Sequence, residues 1–331
     1  MATRTRLLIS VWCLVLAATF ATLSQLSYAQ SGWPGKIITY VIPYPPGGTT
    51  DILGRTLAPK LGPALGTTIV VDNKAGATGA IGTTFVARAA PDGNTLLGTS
   101  IGPMAIVPTL KSNLLYDPVK SFEPVAIVGT IPHVLIVNGS SPYKSVADIV
   151  AAAKAKPGKL TFGSGGNGTI LQMQGELLKL EMGIDMTHVP YKGDTPGIQD
   201  VIGNQITMMF VPVAPALQHI QSGRLRALAV TSAKRLTSLP DVPTMGEAKV
   251  PNFVVEQWQA IYVPAGTPKP IVARLNAEIV RALKDPEVVD RLEKIGVNVV
   301  GSTPEQLAQI QRDDTAKWAR VIKSAGIKLD E

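Results

Sequence analysis

The sequence predicts an α/β protein of two lobes, each with a mostly parallel sheet flanked by helices and with a cleft between them. Strand and helix patterns alternate along almost the whole chain, which is typical of parallel sheets covered on both faces. About ten strands are predicted, and a sheet of that size tends to split into two. The 331 residues are 45% hydrophobic and 5% aromatic, with 31 Gly and 26 Pro, so a full core and many tight loops are expected.

Residues 1–29 are predicted to be a secretory signal peptide. Arg4 and Arg6 precede an apolar run from Leu7 to Leu16, and small residues lead to a cleavage site after Ala29. A membrane anchor is the weaker alternative, because Thr and Ser interrupt the run before it reaches about 20 apolar residues. The one cysteine, Cys13, lies in this segment, so the exported chain would contain no disulfide and no cysteine metal site.

The charge of the exported chain excludes few functions. Without Arg4 and Arg6 it has 29 basic and 24 acidic residues, a net charge of +5. These charges are scattered over the helices and are not interleaved with aromatic residues, so no nucleic-acid partner is expected.

The first strand leads into a glycine loop that is a candidate anion site. Apolar and β-branched residues predict a buried strand at Ile37–Ile42, and an amphipathic helix follows at Ile52–Leu65. Bare amides and a helix N-terminus at the carboxyl end of a strand suit an anionic ligand, although an ordinary turn is the alternative. Asp51 is interpreted as a helix-start residue and not as a ligand contact. The candidate groups are the amides of Gly47 and Gly48 and the hydroxyls of Thr49 and Thr50, either of which can cap the helix.

The remaining elements follow from the same periodicity and boundary signals. Ser145 with Asp148, and Thr303 with Gln306, predict capping boxes before a helix at Ile149–Lys156 and before the C-terminal helix. Further strands are predicted at Thr68–Val71, Thr95–Thr99, Glu123–Val128, Val134–Val137, Leu160–Phe162, His188–Tyr191, Ile206–Phe210, Leu225–Thr231 and Trp258–Val263.

A second glycine loop, Gly163-x-Gly165-x-x-Gly168, precedes a helix predicted at Thr169–Leu180. The spacing matches a dinucleotide fingerprint, which also needs an acid at the end of the next strand. Asp194 lies two residues beyond that position and fits poorly, so dinucleotide binding stays an alternative. If the two glycine loops face one another, they form a cleft for a small anion. Donors in the second loop that suit a carboxylate are Ser164, Asn167 and Thr169.

The sequence predicts no catalytic residue, no metal and no cofactor. Ser164 lacks the preceding glycine of a nucleophile elbow, because position 162 is Phe. His133, His188 and His219 are far apart in the sequence and have no acid at ligand spacing, so packed or surface histidines are expected. An exported enzyme that uses the Ser164 loop remains the alternative.

Eight ordered motifs carry a family resemblance. They are Tyr44-Pro-Pro-Gly-Gly-Thr-Thr-Asp51, Ala90-Pro-Asp-Gly-Asn-Thr-Leu96, Tyr116-Asp-Pro118, Pro157-Gly-Lys-Leu160, Gly165-Gly-Asn-Gly-Thr169, Thr187-His-Val-Pro-Tyr-Lys-Gly193, Leu225-Arg-Ala-Leu-Ala-Val-Thr-Ser232 with Leu239-Pro-Asp-Val-Pro-Thr244, and Pro264-Ala-Gly-Thr-Pro268. From Trp33 onward the chain resembles the substrate-binding receptors of tripartite tricarboxylate transporters, also called Bug receptors.

The resemblance implies a type II periplasmic binding protein that closes on a small carboxylate by hinge motion and delivers it to membrane permease subunits or to a sensor. It implies a periplasmic monomer with lobe 1 at 30–131 and 256–331 and lobe 2 at 132–255. The ligand-binding residues that it implies are Tyr44, Pro46, Gly47, Gly48, Thr49 and Thr50 in the first loop, Ser164, Gly165, Gly166, Asn167 and Thr169 in the second, and Ser100 and Tyr191 beside them.

One stretch departs from the family pattern. Many relatives have an acid and a serine where this chain reads Phe210-Val-Pro-Val-Ala-Pro215. This apolar stretch predicts an acid with a hydrophobic or aromatic body in preference to an amino-bearing ligand.

Overall fold

The computed structural model of the chain describes residues 32–111 and 113–328, so the predicted signal peptide and Cys13 lie outside the described residues. The strands are β1 (Ile37–Ile42), β2 (Thr68–Asn73), β3 (Thr95–Ser100), β4 (Phe122–Asn138), β5 (Thr161–Ser164), β6 (Thr187–Pro190), β7 (Met208–Pro212), β8 (Leu225–Val230), β9 (Glu256–Pro264) and β10 (Asn298–Val299). The helices are α1 (Thr49–Leu65), α2 (Ala80–Ala87), α3 (Val107–Leu110), α4 (Val146–Ala155), α5 (Ile170–Met182), α6 (Asp194–Ile202), α7 (Val213–Gln221), α8 (Lys269–Ala282), α9 (Pro286–Glu293) and α10 (Pro304–Ala325). A 3₁₀ turn at Ala77–Gly79 precedes α2, and a π-helical turn at Gly102–Ile106 leads into α3.

The described strands form one curled, mixed sheet in the order β2-β1-β3-β9-β4-β7-β5-β6, with β8 and β10 also paired to β4. The outer strands β2, β1 and β3 are parallel, as are β7, β5 and β6. The central pairs are antiparallel, because β9 runs opposite to β3 and β4, and β4 runs opposite to β7 and β8. The expected parallel character therefore holds for the outer part of each lobe only.

Strand β4 is the link between the two lobes. It pairs with β9 from Phe122 to Pro132 and with β7 from His133 to Val137. The sequence predicted two strands here, which was wrong, because one continuous strand serves the sheets of both lobes. Pro132 cannot donate to a ladder, but it lies where β4 exchanges one partner strand for another, so a continuous strand tolerates it.

Two helix starts follow the predicted capping chemistry. The capping boxes of Ser145 with Asp148 and of Thr303 with Gln306 are both present and begin α4 and α10. Helix α1 differs, because its N-cap is Gly48 and no side chain caps it. The predicted Thr caps are wrong, since α1 begins at Thr49 itself and the Thr50 hydroxyl donates to Gln259 Oε1 at 2.7 Å.

Helix α10 contacts both lobes. Its Trp318 is fully buried, and its Asp314 accepts a hydrogen bond from Trp258 Nε1 of β9 at 2.9 Å. Its Arg320 pairs with Glu181 of α5 in the second lobe. No helix among residues 32–111 and 113–328 is both long and apolar enough to cross a bilayer.

Candidate functional site

A cavity of 190 Å³ lies between the two lobes. Its walls come from segments that follow the carboxyl ends of β1, β2, β3, β5, β6 and β7, together with the start of the antiparallel strand β9. These strand ends lie at one edge of the sheet, which is where open α/β sheets bind ligands. The lining residues are Tyr44, Thr78, Ser100, Ile101, Gly102, Pro103, Gly168, Thr169, Ile170, Leu171, Asp194, Pro212 and Gln257.

Several helix N-termini lie at this cavity, including that of α6, which begins at Asp194. Ile170 and Leu171 begin α5, and Ile101 and Gly102 begin the helical segment that continues into α3. The first amides of a helix have no carbonyl partner within it and carry the positive end of the helix dipole. No Lys or Arg of the described chain lines the cavity. An anionic group bound here would therefore be met by main-chain amides and hydroxyls.

The side chain of Asp51 anchors the first glycine loop through a hydrogen bond from the Gly47 amide. This carboxylate is 2% exposed and accepts hydrogen bonds from the Gly47 amide at 2.9 Å, from Arg55 Nε at 3.0 Å and from Asn73 Nδ2 at 2.9 Å. Asn73 Nδ2 also donates to the Tyr44 carbonyl at 3.1 Å. Burial opposes ionisation, but the donors outweigh it and lower the pKa of Asp51. Asp51 is thus the helix-start residue predicted, and it occupies the Gly47 amide that was predicted to face a ligand.

Tyr44 and Ser100 form the polar wall of the first lobe. The Tyr44 hydroxyl and Ser100 Oγ are 2.7 Å apart, and both residues line the cavity. Burial raises the pKa of Tyr44, so the phenol stays neutral and can donate to a ligand. Of the first-loop candidates, only Tyr44 reaches the cavity. Pro46, Gly47 and Gly48 are exposed, and Thr49 is half-buried.

The second glycine loop closes on itself through side-chain hydrogen bonds. Thr169 caps α5 by accepting from the Gln172 amide at 3.4 Å, and its hydroxyl donates to the Gly166 carbonyl at 2.7 Å. The Gly168 amide donates to Gln172 Oε1 at 2.7 Å. Thr169 lines the cavity, whereas Asn167 is exposed outside it.

Ser164 and His188 form a pair that the sequence analysis did not expect. Ser164 Oγ lies 2.7 Å from His188 Nε2, and the imidazole stacks on Phe162 with 4.9 Å between ring centroids. Desolvation by burial lowers the pKa of His188 to about 4, so the ring is neutral near pH 7. Ser164 is fully buried and does not line the cavity, and its hydroxyl bonds to groups within the protein. The pair holds the start of the glycine loop.

Three other residues that were predicted to contact a ligand interact with groups of the protein itself; they are Tyr191, Gly166 and Gly165. The Tyr191 hydroxyl donates to Asp200 Oδ2 at 2.7 Å, away from the cavity. The Gly166 amide donates to Ser164 Oγ at 3.2 Å. A Cβ at Gly165 would lie 2.5 Å from Asp194 Oδ1, so this glycine leaves the space that the Asp194 carboxyl occupies.

The apolar stretch from Phe210 to Pro215 contributes little to the cavity. Phe210 and Val211 are fully buried in the core of β7, and Val213, Ala214 and Pro215 lie at a separate groove. Only Pro212 lines the cavity. The expectation of a hydrophobic or aromatic ligand body therefore loses most of its basis, because the residues before Pro212 pack in the core and those after it begin α7 at another groove.

Sequence reasoning missed most of the cavity wall. The segment Ile101–Pro103 follows β3 directly, so the strand-end rule that selected the first loop could have selected it too. Asp194 was considered only for a ribose and set aside. Thr78 lies in the run Gly76-Ala-Thr-Gly79, whose two glycines were a signal of unusual backbone geometry.

Thr78 has a left-handed backbone conformation, with φ 56° and ψ 35°. A β-branched residue there is strained, and strain of this kind is commonly retained at functional sites. We expect Thr78→Gly to raise the free energy of unfolding by about 1 kcal/mol while weakening ligand binding several-fold, because the wall loses a hydroxyl. Urea unfolding and titration calorimetry would measure both. Thr78→Ser should retain the affinity, and a destabilised Thr78→Gly protein would contradict the strain argument.

Comparison with known proteins places this geometry in a family. The family model described as "Tripartite tricarboxylate transporter family receptor" matches residues 53–327. Protein BugT of Bordetella pertussis is 37% identical over 298 residues, which cover 90% of this chain and 91% of that protein.

Two solved structures of relatives contain a ligand. An R. palustris protein with adipate is 33% identical and superposes with a TM-score of 0.75, covering 89% of this chain and 99% of that one. MatC from Rhodopseudomonas palustris with bound malate is 32% identical with a TM-score of 0.72, covering 88% and 100%. The chain belongs to the tripartite tricarboxylate transporter receptor family and has its two-lobed periplasmic-binding-protein fold.

Proposed function

We propose that this protein is a periplasmic receptor that captures a small carboxylate between its lobes. The observation that carries the proposal is the cavity itself, where the N-termini of α5 and of the helical segment after β3 converge without any Lys or Arg in the described wall. Helix N-termini stabilise anions, and a neutral molecule gains no comparable electrostatic stabilisation there. Adipate and malate, the ligands in the structures of the two relatives, are both small carboxylates.

Closure of the lobes would complete the site. Tyr44 and Ser100 belong to one wall and Thr169 to the other, so only the closed form satisfies a carboxylate from both sides. We propose lobe 1 at 30–131 and 256–331 and lobe 2 at 132–255. The exchange of partner strands along β4 between Pro132 and His133, and the start of β9 at Glu256, support these boundaries.

The ligand-loaded receptor would deliver its cargo to membrane permease subunits of a tripartite transporter, as a monomer and without chemical change. Its family membership supports the transporter partner. The burial of Ser164 supports binding without catalysis, because a nucleophile must reach its substrate. The signal-peptide pattern of residues 1–29 supports export to the periplasm.

A thermal-shift screen tests the proposal. Carboxylic acids of four to nine carbons are compared with the neutral amides and methyl esters of the same acids, on the chain without residues 1–29. We expect one or a few acids to raise the melting temperature by several degrees while their amides and esters do not, since ligand that binds only the folded state stabilises it. Equal stabilisation by acid and amide would contradict an anion site. Loss of free acid during long incubation with the protein would favour an enzyme instead.

A further inference from the structure

Among the described residues that line the cavity, one side chain is charged, and it is an acid. Asp194 is the first residue of α6 and lies in the second-lobe wall with Thr169 and Pro212. It forms no ion pair with the described Lys and Arg residues, and the described structure gives its carboxyl no hydrogen-bond donor. Desolvation raises the pKa of this carboxyl, consistent with a group that has lost water and gained no partner.

The position of this carboxyl is built into the loop beside it. Asp194 Oδ1 lies so close to Gly165 that an alanine Cβ there would be 2.5 Å from it. Asp194 also begins its helix after Gly193, whose φ of 102° favours glycine. The two glycines thus leave room for the carboxyl of a residue that lines the cavity. Favourable interaction with the N-terminus of α6 explains an acid at this sequence position, but does not require that the residue line a cavity between the lobes.

Charge balance then restricts the ligand. An ionised Asp194 accepts hydrogen bonds and cannot donate them. A ligand carboxylate in the same 190 Å³ cavity would be repelled by it, and no described cation in the wall offsets this repulsion. A cationic donor on the ligand would give Asp194 a hydrogen-bond partner and would offset the repulsion. The ligand carboxylate would meanwhile face the helix N-termini.

We propose that Asp194 is a specificity-determining residue that selects ligands carrying an ammonium group as well as a carboxylate. This inference rests on the proposed carboxylate receptor and goes beyond it by naming the second group that the ligand must carry. It reverses the preference drawn from the apolar stretch Phe210–Pro215, of which only Pro212 lines the cavity.

Matched pairs of acids that differ only by the ammonium group test this. The probes are succinate with aspartate, glutarate with glutamate, 4-methylpentanoate with leucine, and 3-phenylpropanoate with phenylalanine, each measured by titration calorimetry. For at least one pair we expect the wild-type protein to bind the amino acid roughly tenfold to a hundredfold tighter, the range that a buried charge-assisted hydrogen bond gives. Asp194→Asn should reduce that ratio to about threefold or less.

Two further variants keep the test independent of folding defects. Gly165→Ala should reduce the same ratio by displacing the carboxyl, whereas Glu305→Gln should not change it. Glu305 is an exposed acid in the first turn of α10 and is absent from the cavity wall, so it controls for the loss of a helix-start charge.

Equal or tighter binding of the desamino acids by the wild type would overturn the role of Asp194 and leave the carboxylate receptor standing. A preference that survives Asp194→Asn would do the same. If none of the eight acids binds, this inference is overturned together with the proposed receptor function.

Discussion

Asp51→Asn is expected to lower the free energy of unfolding by about 3 kcal/mol and to weaken ligand binding by about tenfold. The carboxylate accepts from the Gly47 amide, Arg55 and Asn73 at once, and a carboxamide cannot accept from all three. Because Asn73 also holds the Tyr44 carbonyl, the change would loosen a residue of the cavity wall. Urea unfolding and titration with an acid that binds the wild type measure the two effects.

The effect should depend on pH in a defined direction. The pKa of Asp51 is lowered in the folded protein, so the folded state favours the ionised form more than the unfolded state does. The resulting stabilisation is fully present above its ordinary pKa of about 4 and is lost as the pH falls through the lower, folded value. The difference in stability between wild type and Asp51→Asn should therefore be constant near neutral pH and shrink below about pH 4.

A matched surface acid provides the control. Asp290 pairs with Lys294 at 2.6 Å, but the two side chains are 63% and 72% exposed. Exposed pairs of this kind contribute little, so Asp290→Asn should change the stability by less than about 0.5 kcal/mol. If Asp51→Asn and Asp290→Asn lost equal stability, the hydrogen bonds between Asp51 and the first glycine loop would not explain the effect of Asp51→Asn.

Gly175→Ala is expected to lower the free energy of unfolding by about 3 kcal/mol, even though alanine favours a helix more than glycine does. Gly175 lies in α5, and a Cβ there would be 2.2 Å from Cε2 of the buried Phe162 ring. That ring is stacked on His188, which in turn contacts Ser164, so it cannot move without disturbing the second glycine loop. Urea unfolding followed by circular dichroism measures the loss.

Gly246→Ala is the control for glycine replacement. An added Cβ at Gly246 would meet only Thr244 Oγ1, at 3.7 Å, which is ordinary contact. The change should stay within about 0.5 kcal/mol of the wild type. A Gly175→Ala protein as stable as the Gly246→Ala protein would mean that α5 and β5 can separate without cost.

The sequence predicted correctly those features that depend on residues close together in the chain. Ser145 with Asp148 and Thr303 with Gln306 formed the expected capping boxes, because these bonds join residues three positions apart. The alternating strand and helix pattern predicted the α/β class for the same reason. The Thr49 and Thr50 caps failed, because α1 begins at Thr49 itself and the Thr50 hydroxyl donates to Gln259, which is far away in the sequence.

The cavity lies at the strand ends where the sequence predicted a site, but only some of the predicted residues line it. Tyr44, Ser100 and Thr169 do line the cavity, and all three lie at or just beyond strand ends. Ser164 and Tyr191 were also implied by the family resemblance, yet their hydroxyls bond to His188 and Asp200 within the protein. Which donor remains free for a ligand depends on partners that no local pattern reveals.

The sequence by itself determined the family, the α/β class, the position of the glycine loops at strand ends and the absence of a cysteine beyond Cys13. The tertiary structure decided that β4 runs unbroken through both lobes, that Asp51 occupies the Gly47 amide, and that Thr78 and Asp194 line the cavity. The physical reason is the range of the interactions. Periodicity and capping act over a few residues, whereas strand pairing, burial and charge compensation join residues that only the folded chain brings together.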